Sequence, residues 1–233
     1  MADINGFKKF LADKENCYYI GVGDIMDDII AIDKRYAKSQ DDTEGDDIID
    51  QQIEKAYSLL SPYKEKIIGL GEGNHERTIA GKNGTNPIKR LCKELGCEYL
   101  GYSFLVRLVF HENNARFRHV IIYGNHGWGG GSRTEGGSLT KYAKTIGYYD
   151  ADIYLFGHDH TLVTKPSPRL SLVGEKLIAK DRHICICGTF LKTVSVDENP
   201  TWAETRGFNP ARIGGVTISI KPNGSWCDIK ATA

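Results

Sequence analysis

The sequence predicts an α/β protein with two sheets, and three observations carry that expectation. Early in the chain, short apolar runs alternate with segments of helical spacing. Beyond His160 the pattern changes to short strands separated by turns, which suggests a second sheet packed against the first. Four of the apolar runs stop at a Gly and then present Asp, Asn or His, the way an α/β sheet builds a site at its strand ends.

Each element follows from local spacing. Phe7, Phe10 and Leu11 stand at i, i+3, i+4 and predict a helix from about Gly6 to Lys14. Cys17 to Val22 is a near-continuous apolar run, as in a buried strand. Helical spacing returns from Asp27 to Tyr36, and the acidic stretch Gln40 to Asp47 reads as a solvated connection. A helix from Asp47 to Leu60 is stopped by Ser61-Pro62, and Lys66 to Leu70 forms a second buried strand. Pro87 to Leu95 is a helix that terminates at Gly96. Tyr102–Phe110 and Arg118–Tyr123 read as strands joined by the turn Glu112-Asn113-Asn114. An extended glycine-rich loop after His126 leads into a helix ending near Ile146, and Asp152 to Phe156 is another buried strand. The late strands are Thr161–Lys165, Arg169–Val173, His183–Cys187, Val216–Ile220 and Trp226–Ile229.

Bulk properties narrow the class. With 233 residues, 40% apolar and 26% charged, the chain reads as one globular domain over 1–233. Thirty acidic and thirty basic residues cancel, so a nucleic-acid partner is left open without support from charge. No apolar stretch approaches the roughly 18–20 residues of a membrane span, and Met1 to Phe10 lacks the apolar core of a signal peptide. A cytoplasmic protein with no membrane partner is expected. The six cysteines read as structural thiols, with Cys185 and Cys187 sharing one face of a strand. His111, His119 and His183 lack a strand-end motif and read as surface or core histidines. The Asp33-Lys34-Arg35-Tyr36 cluster reads as a solvated helix face.

The four strand-end segments are Gly23-Asp24, Gly73-Asn74-His75-Glu76, Gly124-Asn125-His126 and Gly157-His158-Asp159-His160. Asp24 supplies a carboxylate able to bridge two cations, Asn74 an amide oxygen, and His126 and His158 imidazole nitrogens. These make one mixed N/O site, which suits Mn, Fe, Zn, Co or Ni without choosing among them. His160 would point to the other side of an extended segment and so serve an adjacent second ion. His75, facing away from Asn74 by the same alternation, is placed to protonate a leaving alkoxide. Asp27 reads as a cap for the helix that follows. In the loop Trp128 to Thr134, Arg133 is a candidate phosphate contact, with an ordinary surface loop the equal alternative.

These motifs resemble the calcineurin-like metallophosphoesterase superfamily, in order and in spacing, from roughly Cys17 to the C-terminal strands. The matching segments are Gly23–Asp27, Gly73–Glu76, His126 and Gly157–His160. The resemblance implies a four-layer α/β/β/α sandwich of two mixed sheets. It also implies a dinuclear centre and hydrolysis of a phosphomonoester or phosphodiester by in-line attack of a metal-activated hydroxide. By the same resemblance Asp24 bridges both metals, Asn74, His126 and His158 complete one site, His160 belongs to the other, and His75 is the general acid. The general look is similar to phage and prokaryotic members. The Arg residues that mark the family's protein phosphatases are missing beside Gly23-Asp24 and Gly73-Asn74, which disfavours a phosphoprotein substrate.

The family's first motif, Asp-x-His on an opening strand, has no counterpart. Asp3-Ile4-Asn5 is the only approximation, and Asp and Asn there read as an ordinary helix start. One site is expected to be complete and the second incomplete. A start downstream of the family's first strand, by truncation, start-site choice or decay, is the expected cause. The rival reading is a catalytically weak or inactive metal-binding remnant.

Overall fold

The computed structural model describes residues 2–12, 16–28, 47–112, 116–130, 134, 136–195, 200–223 and 226–233. The expected helix Asp27–Tyr36 beyond Asp28, the acidic stretch 41–46, the turn residues Asn113 and Asn114, and Arg133 lie outside them. The chain divides into two compact units, Asp3–Ser103 and Phe104–Ala233, with Ala2 joined to the second by a bridge to Leu191.

In the first unit, helix α1 (Ile4–Ala12) begins where the Asp3 carboxylate accepts the Gly6 N–H at 3.1 Å. Asp3 therefore caps a helix, as its residue type suggested. Strand β1 (Tyr19–Val22) and helix α2 (Ile48–Leu60) follow. Pro62 does not end helical structure outright, because a 3-10 turn continues over Ser61–Lys66. Strand β2 (Ile67–Gly71) runs into helix α3 (Asn74–Asn83), which the sequence reading missed. The α3 segment is polar, so it carries little amphipathic signal. Helix α4 (Pro87–Leu95) has the expected bounds, with the Asn86 side chain accepting the Lys89 N–H and Gly96 left-handed at its end. Strand β3 (Glu98–Gly101), also missed, completes a parallel sheet in the order β1-β2-β3.

The core of this unit packs α1, α2 and α4 around the sheet through Leu11, Ile53, Leu60, Leu70, Ile88 and Leu91. Val22 lies opposite Gly71, so β1 and β2 end side by side. That shared carboxyl edge is where ligands collect in open α/β sheets.

In the second unit, β4 (Ser103–Glu112), β5 (Arg116–Asn125), β6 (Ile153–Phe156), β7 (Leu162–Val173) and β8 (Lys176–Cys187) form one mixed sheet in the order β4-β5-β6-β8-β7. Helix α5 (Gly137–Ala143) sits between β5 and β6 in the chain. A short helix α6 (Trp202–Thr205) and the hairpin β9 (Thr217–Asn223) and β10 (Trp226–Thr232) follow β8. The two expected strands Thr161–Lys165 and Arg169–Val173 are one continuous strand. Pro166 and Pro168 do not break it, because β7 is an edge strand, where a missing N–H costs no ladder bond.

β5 and β6 are parallel, with Asn125 opposite Phe156, so His126 and Gly157-His158 leave the sheet at neighbouring points on one edge. The core beneath is aromatic: Tyr142, Tyr154 and Phe156 are fully buried, with Ile184 and Ile186 from β8. The class is α/β with two principal sheets, as expected. All six cysteines are free, and burial pushes the Cys92 and Cys187 thiols up to about 12. Among the described residues, no helix is long and apolar enough to cross a membrane.

Candidate functional site

In the first unit, the turns that carry candidate ligands are organised around one buried carboxylate. Glu76, in the first turn of α3, has no solvent exposure. Its Oε1 accepts the N–H groups of Ile25 (2.6 Å) and Met26 (3.2 Å), and its Oε2 those of Gly73 (2.8 Å) and Asp24 (3.1 Å). One side chain thus ties the turn after β1 to the turn after β2. Burial and the neighbouring Asp24 carboxylate push the Glu76 acid upward, while these N–H donors pull it back. The sequence reading quoted Glu76 in its motif and gave it no role. The signal was there: a Glu three residues after the helix-starting Gly73 is half of a capping box.

Asp24 stands just beyond β1 with φ of 50°, in the left-handed region. Gly73 packs directly on it: a Cβ at Gly73 would lie 2.0 Å from Asp24 Oδ1. Asp24 Oδ1 also accepts the His75 N–H at 3.1 Å. The His75 ring bonds through Nδ1 to the Asp27 carbonyl at 2.8 Å, and a carbonyl only accepts, so Nδ1 carries the proton. Its Nε2 lies 3.9 Å from Asp24 Oδ2. His75 therefore turns toward the Asp24 carboxylate, and strand alternation was the wrong guide. Asn74 and His75 open α3, where successive residues step by about 100° around a helix instead of 180° along a strand.

Asp28 was not singled out from the sequence. It is buried, its backbone N–H donates to Gln52 at 2.9 Å, and neither carboxylate oxygen has a hydrogen-bond partner among the described residues. Burial first, then Glu76, Asp24 and Asp27, push its acid up to about 8.

In the second unit, two candidate ligands meet. The rings of His126 and His158 meet edge to face with centroids 5.3 Å apart. His126 is buried at the end of β5. His158 Nε2 bonds the Gly129 carbonyl at 2.5 Å, so Nε2 carries the proton and the neutral ring has its lone pair on Nδ1. A metal-ligating histidine commonly donates its second N–H to such a carbonyl. Gly127, with φ of 105°, lets the chain pass between the two: a Cβ there would lie 2.9 Å from the His158 Cβ and 2.5 Å from the Tyr142 hydroxyl.

Asp159, between the two histidines of its motif, is a third residue to which the sequence assigned no role. Its side chain is closed to solvent and pairs with Lys141, and the Tyr142 hydroxyl donates to it at 3.1 Å. Its other oxygen has no partner among the described residues. Lys141 and Tyr142 lie on α5, so that helix anchors the segment holding His158 and His160. The segment is not extended: His158 and His160 have φ of 68° and 54°. The alternation used to point His160 away from His158 therefore does not apply.

Among the described residues, the non-glycine positions with left-handed backbone are Asp24, Asp28, His158 and His160. Three of these are candidate ligands. Such conformations cost on the order of 1–3 kcal/mol each and persist where the surroundings hold them, most often at functional sites. Carboxylate and imidazole donors on anchored turns suit a borderline divalent transition ion.

Comparison with family models and with curated proteins gives no match. Among solved structures, the chain is similar to a conserved uncharacterized protein, a predicted phosphoesterase, from Streptococcus pneumoniae TIGR4. The identity is 15%, over 82% of this chain and 84% of that one, with a TM-score of 0.30. It is also similar to a Vps29 double mutant from Entamoeba histolytica, at 14% identity over 84% of this chain and 93% of that one, TM-score 0.29. A Vps29 single mutant from the same organism matches at 18% over 75% and 88%, TM-score 0.27. At these values none of them bears on activity.

Proposed function

We propose that this chain is a metal-dependent phosphate-ester hydrolase of the calcineurin-like metallophosphoesterase type, its two units forming one domain. Asp24 and Asn74 would join His126 and His158 in holding one divalent ion, and His160 with Asp24 would hold a second. Within this set Asp24, His126 and His158 offer a carboxylate and two imidazoles. An ion held there supplies a Lewis acid for the phosphoryl oxygens. The observation that carries the reading is the meeting of His126 and His158, ring to ring, from the ends of adjacent parallel strands.

The residues of the chain have distinct tasks. Glu76 holds the turn bearing Asp24 through three backbone N–H groups and the turn after β2 through a fourth. The Gly129 carbonyl sets the tautomer of His158. His75, fixed at Nδ1 by Asp27, gains or loses its second proton at Nε2, on the side facing Asp24. That makes Nε2 the proton donor to a leaving alkoxide. Asp3 is engaged in capping α1, which favours one well-held ion over two.

Metal stoichiometry with Mn²⁺, together with hydrolysis of bis-p-nitrophenyl phosphate and of an alkyl phosphodiester, tests this. The wild type should retain at least one ion per chain, and His126→Ala should lose it. His75→Ala should keep the ion and lose about 10²–10⁴-fold in turnover on the alkyl ester. It should lose far less on the nitrophenyl ester, whose leaving group needs no proton. Equal metal retention by wild type and His126→Ala would sink the reading. Retention of metal without hydrolysis of either ester would leave a metal-binding module.

A further inference from the structure

The hollow beside β5 has no part in the chemistry described so far. Its volume is about 430 Å³, and its walls include Tyr123, Asn125, Trp128, Lys144, Tyr148 and Tyr149. It adjoins the candidate centre through the chain itself: Asn125 and Trp128 bracket His126 and Gly127.

Three of its aromatic residues are exposed to a degree that packing does not explain. Tyr148 is 84% exposed, Trp128 46% and Tyr149 42%. Single exposed apolar residues are ordinary, but several large rings around one concavity mark a binding surface. Two of the rings are held in place from behind. Tyr149 lies flat on buried Tyr123, with centroids 4.1 Å apart and planes at 23°. Trp128 stands edge-on to buried Tyr142 at 5.1 Å. Rings fixed in advance lose little freedom when something flat settles on them. The Asn125 side chain is already occupied by the Gly127 N–H and the Tyr123 hydroxyl. Lys144 brings a positive charge to the wall.

We propose that this hollow is a nucleobase subsite: a base settles on the rings of Trp128, Tyr148 and Tyr149, Lys144 faces a phosphate of the same ligand, and the substrate ester is therefore nucleotide in kind. This rests on the phosphate-ester reading above. Aromatic rings bind bases through their π-faces whatever the sequence. One lysine suits one phosphate, in a protein whose net charge of zero supplies no long-range pull on polyanions. A neutral peptide or an uncharged lipid would use the rings but not the lysine. The adjoining histidine pair calls for a phosphate ester.

The test is calorimetric titration of EDTA-treated protein with three probes: a thymidine dinucleotide, a longer oligothymidylate, and an abasic strand of that same length. Working without metal separates this inference from the hydrolysis reading. Failure to hydrolyse any ester would leave base binding untouched, and hydrolysis without base binding would leave the enzyme and remove the subsite. The base-bearing strand should bind at least about ten-fold tighter than the abasic one, and Trp128→Ala should weaken it by a similar factor. Tyr148→Ala gives the same reading from a ring too exposed to matter for folding. Lys144→Gln should flatten the salt dependence. Equal affinity for dinucleotide and strand supports a free nucleotide as the natural ligand, and tighter strand binding supports a nucleic-acid end. Equal binding of the abasic strand, no binding of any probe, or unchanged affinity in both ring variants overturns the proposal.

Discussion

Glu76→Gln is the sharpest test of how the candidate site is held. The substitution keeps the shape of the side chain and turns one acceptor oxygen into an NH₂ donor. Each Glu76 oxygen accepts two backbone N–H groups, so whichever is replaced, two buried donors face a donor. A stranded buried donor costs about 1–3 kcal/mol, which sets the loss at about 2–6 kcal/mol. Typical folded domains have about 5–15 kcal/mol in all, so a loss of that size loosens the turns after β1 and β2 or the whole unit. Urea unfolding at neutral pH reads the total. Hydrogen exchange at Gly73, Asp24, Ile25 and Met26 reads the local part, and protection there should fall by orders of magnitude. The opposite result has a definite meaning. If burial and Asp24 kept the proton on Glu76, one oxygen would already be a donor and Gln would be nearly neutral. A change within about 0.5 kcal/mol and intact protection would therefore refute the carboxylate clamp.

Three other outcomes are expected. Gly73→Ala brings a Cβ to 2.0 Å from Asp24 Oδ1 and 2.3 Å from the Asp24 backbone N, so it should displace both the carboxylate and the turn that carries it. A shift of that scale costs about 10²-fold in turnover, and unchanged turnover would rule the contact out. Lys141→Met removes the cation from a carboxylate closed to solvent and should destabilise the second unit by about 3–5 kcal/mol. The double variant Lys141→Met/Asp159→Asn should recover most of that loss in the same denaturant titration, and no recovery would mean that the pair is not coupled. His183 is buried and its imidazole is held below the ordinary 6.5, burial outweighing Asp181 and the Ile229 backbone. Its neutral form is favoured in the folded state, so its contribution is fully present above 6.5 and is lost as pH falls from there through the lower folded-state value. The melting temperature should drop on acidification, more steeply in wild type than in His183→Gln. Identical slopes would exclude His183 as a cause.

Most of the strands, α4 and the strand-end positions of the candidate ligands were legible in the sequence because they depend on near neighbours. Apolar runs make strands wherever they are buried, and Pro87 with Gly96 punctuates α4 at both ends. A Gly before Asp24, Asn74 or His158 marks a sharp turn whatever surrounds it. Other features depend on partners far along the chain. α3 is polar and has little periodicity of its own, but Glu76 reaches back some fifty residues to the turn after β1. β7 runs through two prolines because it lies at a sheet edge, and sheet order is a property of the assembled unit. Side-chain direction was the costliest omission. Strand alternation turned His75 away and set His160 opposite His158, whereas a helix start and two left-handed residues aim them. Spacing alone named the candidate donors. Buried charge decided how they are held, since Glu76 and Asp159 must find N–H groups, a lysine or a hydroxyl once they leave water, and only the folded chain brings those partners within reach.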